Sequence, residues 1–431
     1  MILFIKRQII EIYNGGRVVL FDKLIITYKI LLNFICNLSL CIIFLPIIIF
    51  IRLISPFFII RFGELITSRI GHLAANTELY LCEKDEEINI PKKPYFDIFY
   101  AKDSLNSNKY LLNKWKNLIN IWPRLLINPL CILNNIIPYG NIHKIGNNLN
   151  SDRDILNLLD KYPAHINFTE DEEKFGKIFL EKIGIFNNTK FVCLLVRDSA
   201  YLNMHLKNIN TRYHNYRDCN IENYILVSEE LTKRGYFVIR MGVKVNSIFN
   251  TQNPMIIDYA NNGMRTEFLD IYLGAKCDFC ISTSSGWDAI PLIFRRPIIY
   301  APIVPLGYFF TFSKRYSAIT KHHYYINEKR ELTFSEIFEM GYGFSLTSEE
   351  FTNKGIQLIE NTQEEIRDLV IEFVDKSNNI WESETNDEYL QDLFWQQFPI
   401  NAIDAAGSRL HGQIKAHFGT KFLRNNVNLL K

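Results

Sequence analysis

Two patterns of apolar and polar positions divide this chain. Near the start, Ile30 to Ile51 reads ILLNFICNLSLCIIFLPIIIFI, 22 residues without a charge. As a helix the run would extend about 33 Å, enough for a hydrocarbon core of about 30 Å. Lys29 and Arg52 bracket it, and the apolar character resumes through LISPFFII to Arg61. Asn33, Asn37, Ser39 and Pro46 interrupt the run, and Pro46 would kink a helix. Lys6, Arg7, Arg17, Lys23 and Lys29 precede it, and Arg52, Arg61 and Arg69 follow. Positive charge favours the cytoplasmic side of a membrane. A kinked, re-entrant or in-plane anchor satisfies both flanks, whereas a single span satisfies one. No small-residue cleavage site follows, so a removed signal peptide fits badly. The pattern predicts a membrane-associated helical segment over 1–61, touching the bilayer through 24–61. The alternative is a buried core helix.

Downstream, short apolar runs alternate with amphipathic stretches. Within 62–185, FGELITSRIGHLAANTELYLCE reads as loop, helix and short strand, and YFDIFYA (95–101) reads as a strand. Residues 104–122 form an expected helix stopped by Pro123, and DEEKFGKIFLEKI (171–183) an amphipathic helix starting near Thr169 or Glu170. Over 186–345 the alternation is more regular. KFVCLLV (190–196) fits a buried parallel strand. Residues 220–234 fit a helix closed by Gly235 in a left-handed turn. Strands follow at YFVIRMG (236–242), PMIIDYA (254–260), DFCIST (278–283) and PIIYAP, with helices near 267–275 and in SGWDAIPLIFR. Repeated strand–helix–strand units predict an α/β fold with a doubly wound parallel sheet. Residues 346–431 read as mostly helical. The expected segments are 1–61, 62–185, 186–345 and 346–431.

Composition narrows the function classes. At 431 residues, 48% hydrophobic and 22% charged, the chain can build two or three packed cores and is not a disordered polymer. Lys+Arg 48 against Asp+Glu 46 gives +2, so no global field recruits nucleic acid, and no nucleic-acid partner is expected. Eight scattered cysteines show no secreted-type framework and read as reduced thiols. The C-x-x-C at Cys277 and Cys280 lacks the second pair that zinc would need. Neither His322 nor His323 has a carboxylate at metal-ligand spacing. There is no Walker loop, G-x-S-x-G elbow, zinc-protease motif or D-x-D between strands. No metal and no cofactor are expected.

In open α/β sheets ligands sit outside the carboxyl ends of the strands, which directs attention to four loops. STSSGWD follows a buried strand and opens a helix: Ser282, Thr283, Ser284, Ser285, Gly286 and Asp288 would offer small side chains and free N–H groups to a phosphate or diphosphate. An ordinary helix cap is the alternative. In VRDSAYL, Arg197 could clamp phosphate oxygens, with Asp198 orienting it or acting on substrate; a structural Arg–Asp pair is the alternative. Arg240 lies in or at the end of an apolar strand and needs a partner, either a ligand phosphate or a carboxylate such as Asp258, Glu267 or Asp270. In SRIGHLAANTE, Gly71 permits close backbone approach. His72, at a helix start, could act as a general base or be a structural histidine.

RIGHLAANTELYL (69–81), VCLLVRDSAYLN (192–203), YHNYRD (213–218), RGYFVIRMG (234–242), IIDYANNGMRTEFLDIYLGAKCDFCISTSSGWDAIPLIFRRPIIYAPIVPLG (256–307) and LHGQIKAHFGTKFLRNN (410–426) together resemble a bacterial family of glycosyltransferases tied to surface-polysaccharide clusters. The resemblance spans roughly 62–431. Many members read H-V-R-D where this chain has Leu195-Val196-Arg197-Asp198, so no role is assigned to position 195. The resemblance implies two Rossmann-like domains in a GT-B-like fold. The acceptor would lie toward 62–185, with Arg69 and Gly71 on that side. The nucleotide-sugar donor would lie in 186–345, held by Arg197, Arg240, Ser282, Thr283, Ser284, Ser285, Gly286, Asp288 and Glu267, and 346–431 would pack back on the domains. VRDSAYL also looks loosely like the arginine loop of GT-B fucosyltransferases, a hint of a guanosine-diphosphate sugar. The expected activity is metal-independent, inverting transfer to a lipid-linked or surface-polysaccharide acceptor at the cytoplasmic face of the bacterial inner membrane, with His72 first and Asp198 second as base. A nucleotide-sugar epimerase of the same fold and a non-catalytic membrane scaffold are the rival readings.

Overall fold

The computed structural model describes residues 16, 19–21, 23–25, 27–28, 39–103, 105–146, 153–205, 211–405 and 407–431; the first part of the long apolar run, 30–38, lies outside them. In chain order the elements are α1 (39–54), β1 (Ile59–Leu65), α2 (Ile70–Asp85), β2 (Tyr95–Ala101), α3 (Lys109–Lys116), α4 (Arg124–Ile136), α5 (Leu158–Lys161), α6 (Glu170–Lys182), β3 (Lys190–Leu195), α7 (Ala200–His205), α8 (Ile225–Lys233), β4 (Tyr236–Arg240), β5 (Ile256–Ile257), α9 (Glu267–Lys276), β6 (Phe279–Ser282), α10 (Ala289–Ile293), β7 (Ile298–Tyr300) and β8 (Tyr316–Ala318). Then come β9 (His322–Tyr325), β10 (Arg330–Glu331), α11 (Phe334–Glu339), α12 (Ser348–Asn353), β11 (Ile356–Ile359), α13 (Gln363–Ser377), α14 (Asp387–Gln397), β12 (His417–Phe418) and α15 (Thr420–Asn425).

The chain separates into two compact units. The first holds 1–65, 90–102 and 119–146. Its strands β1 and β2 run parallel, from Ile59 opposite Tyr95 to Leu65 opposite Ala101. Single parallel bridges, Phe62 to Lys144 and Phe99 to Ile121, widen this ladder. Cys41, Ile48 and Ile51 of α1 and Ile127, Leu130 and Leu133 of α4 close over Phe62, Ile98 and Tyr100 of the strands. Among the described residues no helix is long and apolar enough to cross a membrane. Two basic residues after the apolar run are held inside the unit. Arg52 donates to Asn134 Oδ1 at 2.6 Å and to the Pro138 carbonyl. Arg61 stands opposite Asp97 in the ladder and donates to both its carboxylate oxygens, at 2.7 and 2.6 Å, with both side chains buried.

The second unit holds 66–89, 103–118 and 147–431. Its centre is a seven-stranded sheet in the order β12-β8-β7-β6-β3-β4-β5, parallel at every pairing. The chain's end supplies β12 as one edge. A small antiparallel sheet, β10-β9-β11, stands apart. The strands of the large sheet are short and apolar, and the interior of β3, Phe191 to Leu195, is buried throughout, as helices on both faces require. Every described cysteine is a free thiol, and Cys193, Cys277 and Cys280 are buried.

Several elements depart from the sequence reading. The stretch 62–83 is not loop, helix and strand: FGEL belongs to β1, and one helix, α2, carries everything from Ile70 to Asp85. Twelve of its sixteen residues are buried, so its apolar positions show no one-sided period. Within 104–122 the helix is only α3, because the Asn108 side chain caps it by accepting from Leu111 N. The 220–234 helix opens with a tight 3-10 turn, Ile221–Tyr224, before α8, and Gly235 closes it at φ +84°.

Both charges of the Arg61–Asp97 pair lie out of water. Asp97→Ala removes the carboxylate that this buried guanidinium bonds and is expected to lower folding stability by about 3–5 kcal/mol, while Arg61→Met with Asp97→Leu restores most of it. Urea denaturation of the three proteins checks this; a loss below 1 kcal/mol in Asp97→Ala would contradict it.

Candidate functional site

The order of the large sheet fixes where a ligand can sit. From β3 the chain builds outward through β4 to β5, then returns to the other side of β3 for β6 and builds through β7, β8 and β12. The reversal falls between β3 and β6, and an open α/β sheet has its crevice at such a switch point, outside the strands' carboxyl ends. Leu195 is registered against Ser282, so both strands end together. The loops that leave them carry Arg197 and Ser282–Gly286.

Those loops are stitched to each other. Arg197 N donates to Thr283 Oγ1 at 2.8 Å, and Thr283 N donates to the Leu195 carbonyl at 3.1 Å. Ser282 Oγ and Ser285 N both donate to Asp288 Oδ2, at 2.9 and 3.1 Å. Ser282, Thr283 and Asp288 are buried and hold the loop's shape. Ser284 takes a left-handed conformation, φ +59°, which costs a residue with a Cβ of the order of 1 kcal/mol. That turn aims its carbonyl at Arg217, which donates to it.

The N-terminus of α2 meets the same loop. A Cβ added to Gly71 would stand 3.0 Å from the Gly286 carbonyl oxygen and 3.2 Å from its Cα, so the two backbones approach as only glycine allows. Arg69 is the N-cap residue of α2, and no side chain caps that end. The first turn of a sixteen-residue helix therefore offers its N–H groups beside Gly286. His72 lies in that turn, with Nδ1 buried and without a hydrogen-bond partner.

Three guanidinium groups converge here. Arg197 donates to the His214 carbonyl at 2.9 Å and pairs with Asp218. Arg217 Nε and His214 Nδ1 are buried without partners. The His214 imidazole is held down to about 4, first by burial and then by the charges of Arg217, Arg197 and Arg69. Asp218 is drawn upward by burial, against the pull of Arg197 and Lys321. Lys321 also donates to the Asp218 carbonyl, at 2.6 Å. The arrangement is a partly buried concentration of positive charge with unpaired donors, which suits a diphosphate.

The other expected residues lie elsewhere. Arg240, 1% exposed, donates to the Ser247 carbonyl at 2.5 Å and to Asp258 Oδ2 at 3.4 Å, so Asp258 is its carboxylate. Asp270 instead takes Arg265, at 2.5 Å. Both oxygens of Asp198 accept backbone N–H groups, from Ala200 at 2.8 Å and Asn246 at 2.7 Å. Glu267 opens α9, and its carboxylate accepts Lys109 N at the start of α3, at 2.8 Å. The structure thus brings Arg69, Gly71, Arg197 and Ser284–Gly286 together, and sets Arg240 and Asp198 to holding loops. The helix expected after Ser285 is a 3-10 turn, Gly286–Asp288, followed by the five-residue α10. Its dipole is correspondingly short, and α2 with the arginines carries the positive field. Arg217 and His214, on a 3-10 turn at Thr211–Arg217, were not singled out from sequence; an arginine in a polar, aromatic loop has no period to mark it.

Among the described residues one group, Glu78, Cys82 and His165, could surround an ion. Arg295 pairs with Glu78 at 2.6 Å and donates to Cys82, and His165 bonds Glu78 at 3.1 Å and Asp85 at 2.9 Å. A guanidinium already in the middle fits an ion-pair network better than a cation. His322, which lacked a carboxylate nearby in sequence, lies between Glu331 and Glu365, and those charges raise it to about 10.

No protein-family model matches the chain, and no curated protein matches it. Among solved structures it is similar to a family 9 glycosyl transferase from Veillonella parvula, with 10% identity, 56% of this chain and 79% of that one covered, and a TM-score of 0.36. It is also similar to an ADP-heptose LPS heptosyltransferase II from E. coli, with 13% identity, 57% and 86% covered, and a TM-score of 0.36. A Listeria monocytogenes protein designated a UDP-N-acetylglucosamine 2-epimerase gives 8% identity, 58% and 81% covered, and 0.25. Likenesses of this size carry no argument about what the chain does.

The surroundings of His214 make a pH prediction. An unfolded histidine takes its proton near 6.5, whereas the folded ring waits until about 4. This group's contribution to stability is therefore present above 6.5 and is lost as pH falls from there through 4. Inorganic pyrophosphate bound among the three arginines would offset their repulsion and raise the midpoint. An NMR titration of His214 checks both; a midpoint near 6.5, or one that saturating pyrophosphate leaves unmoved, would contradict the reading.

Proposed function

We propose that the chain is a glycosyltransferase that moves a sugar from a nucleoside-diphosphate donor to a lipid-linked or surface-polysaccharide acceptor. The observation that carries this is the convergence of Arg69, Arg197 and Arg217 on the crevice between β3 and β6, beside the glycine contact of α2 with the Ser284–Gly286 loop. With the resemblance of 62–431 to surface-polysaccharide transferases, that convergence favours a GT-B-like architecture with the donor in the second unit.

In this reading the arginines and the α2 N–H groups neutralise the diphosphate as it departs from the anomeric carbon, where negative charge develops. Arg217 contributes an Nε that has no partner in the protein, and Arg197 is aimed by Asp218 and the His214 carbonyl. The acceptor hydroxyl loses its proton to a base. Asp198 is engaged by two backbone N–H groups, which favours His72, whose Nδ1 is unpartnered. Such a mechanism asks for no metal, because fixed cations stand where a metal would act. Membrane association through 24–61 at the cytoplasmic face would place the enzyme beside lipid-linked acceptors and the nucleotide-sugar pool.

Arg217→Ala is expected to lower turnover at least about 100-fold, the scale of losing one fixed donor to a developing oxyanion, with unchanged thermal unfolding. The assay incubates the protein with labelled nucleotide sugars and a membrane lipid extract. Transfer at the wild-type rate by Arg217→Ala would contradict the assignment. Conversion of free donor to its epimer without acceptor would replace it with an epimerase.

A further inference from the structure

The helices α1 and α4 each have two apolar faces, and the first unit uses only one of each. The inner faces, Cys41, Ile48 and Ile51 with Ile127, Leu130 and Leu133, form the unit's core. The outer faces hold Ile43, Phe50 and Leu53 on α1, exposed by 66%, 59% and 70%, and Leu125 and Ile136 on α4, exposed by 70% and 72%. From Ser39 to Ile51 the sequence of α1 contains no charge. A helix apolar all round belongs in a core or in lipid. The two helices lie against each other: Cys41 Sγ reaches the Pro129 carbonyl at 3.9 Å, and the Arg52 guanidinium reaches Asn134 Oδ1 at 2.6 Å. Tyr139 stands beyond α4, 84% exposed, a residue type that settles at a membrane–water boundary, and Phe57 beyond α1, 80% exposed, extends the apolar surface.

Charge says what covers this surface. The first unit holds 12 Lys and Arg against 4 Asp and Glu, a formal +8, whereas the rest of the chain holds 36 against 42, a formal −6. Its described acids are neutralised within the unit, Glu64 by Lys102 at 2.8 Å and Asp97 by Arg61 at 2.6 Å. Lys92, Lys93, Arg124 and Lys144 are exposed. An apolar face on a basic body matches an anionic bilayer surface.

We propose that α1 and α4 together form a platform that lies in the plane of an anionic membrane, so that α4 as well as the N-terminal run enters the headgroup region. The inference deepens the membrane attachment proposed above and rests on it. It also gives that attachment a geometry: the described part of α1 is built into the unit's core by one face, so it rests on the bilayer by the other rather than crossing it.

Flotation of the full chain with vesicles of phosphatidylcholine, with and without phosphatidylglycerol, tests this. The wild type floats with the anionic vesicles, less so as salt rises, and alkaline carbonate releases it. Leu125→Glu and Ile136→Glu each lower the bound fraction roughly tenfold, with thermal unfolding and nucleotide response unchanged. Wild-type flotation by both variants would show that α4 takes no part, while attachment through 24–61 survives. Retention through carbonate would overturn the in-plane geometry. A wild-type dimer that the variants dissolve would mean that a second copy covers the face. No flotation with either vesicle would end the membrane reading itself.

Discussion

Arg197 and Arg217 repel one another, and burial first, then their charges with that of Arg69, holds the His214 ring down. Such a group stays assembled only if the scaffold around it is stiff. Here the stiffness comes from the register of Leu195 with Ser282 and from the bonds that tie the two loops, Arg197 N to Thr283 and Ser282 to Asp288. The same loops need Ser284 in a left-handed turn to face its carbonyl toward Arg217. A buried parallel sheet thus provides the fixed frame, and the site's charge is stored as repulsion that an incoming anion would relieve. The glycine contact of Gly71 with Gly286 adds the end of α2 to that frame.

The sequence made some of this legible and hid the rest for definable reasons. The amphipathic helix expected at 171–183 is α6, because one face is buried, four acids fill its first turn and Thr169 with Glu172 forms a capping box. The expected strands at 190–196, 236–242 and 278–283 are β3, β4 and β6, since short apolar runs between turn residues have few alternatives in an alternating pattern. α2 does not show in the sequence as one helix, because burial on nearly all sides erases the periodicity from which a helix is recognised. The positions of Arg197 and Ser284 followed from their place after strands. Whether Arg240 would meet a ligand or Asp258 did not, because its partner lies 18 residues on, in another loop. Arg217 and His214 lie in the stretch 213–218, which carries no period of its own, and only the folded chain turns Arg217 toward Ser284 and the His214 carbonyl toward Arg197.

The first unit shows the complementary constraint. A small ladder of two strands cannot bury two helices completely, so each helix keeps an apolar face outward. A membrane segment and a core helix, the two alternatives for 30–51, are not exclusive. For the part that is described, α1 serves a core with one face and leaves the other free. The excess of positive charge is confined to that unit, which the net +2 of the whole chain conceals.

The central claim is that the arginines at the β3–β6 switch point hold a nucleoside diphosphate. The direct measurement is thermal unfolding of the full chain in detergent, without metal, against UDP, GDP, ADP, TDP and CMP, for the wild type and for Arg217→Lys. The account predicts that one nucleoside diphosphate stabilises the wild type, by about 2.7 kcal/mol at a hundred times its Kd, and that the lysine variant, folded but without the planar fork, responds far less. A folded wild type that no nucleotide stabilises, or one stabilised equally in both proteins, would contradict it.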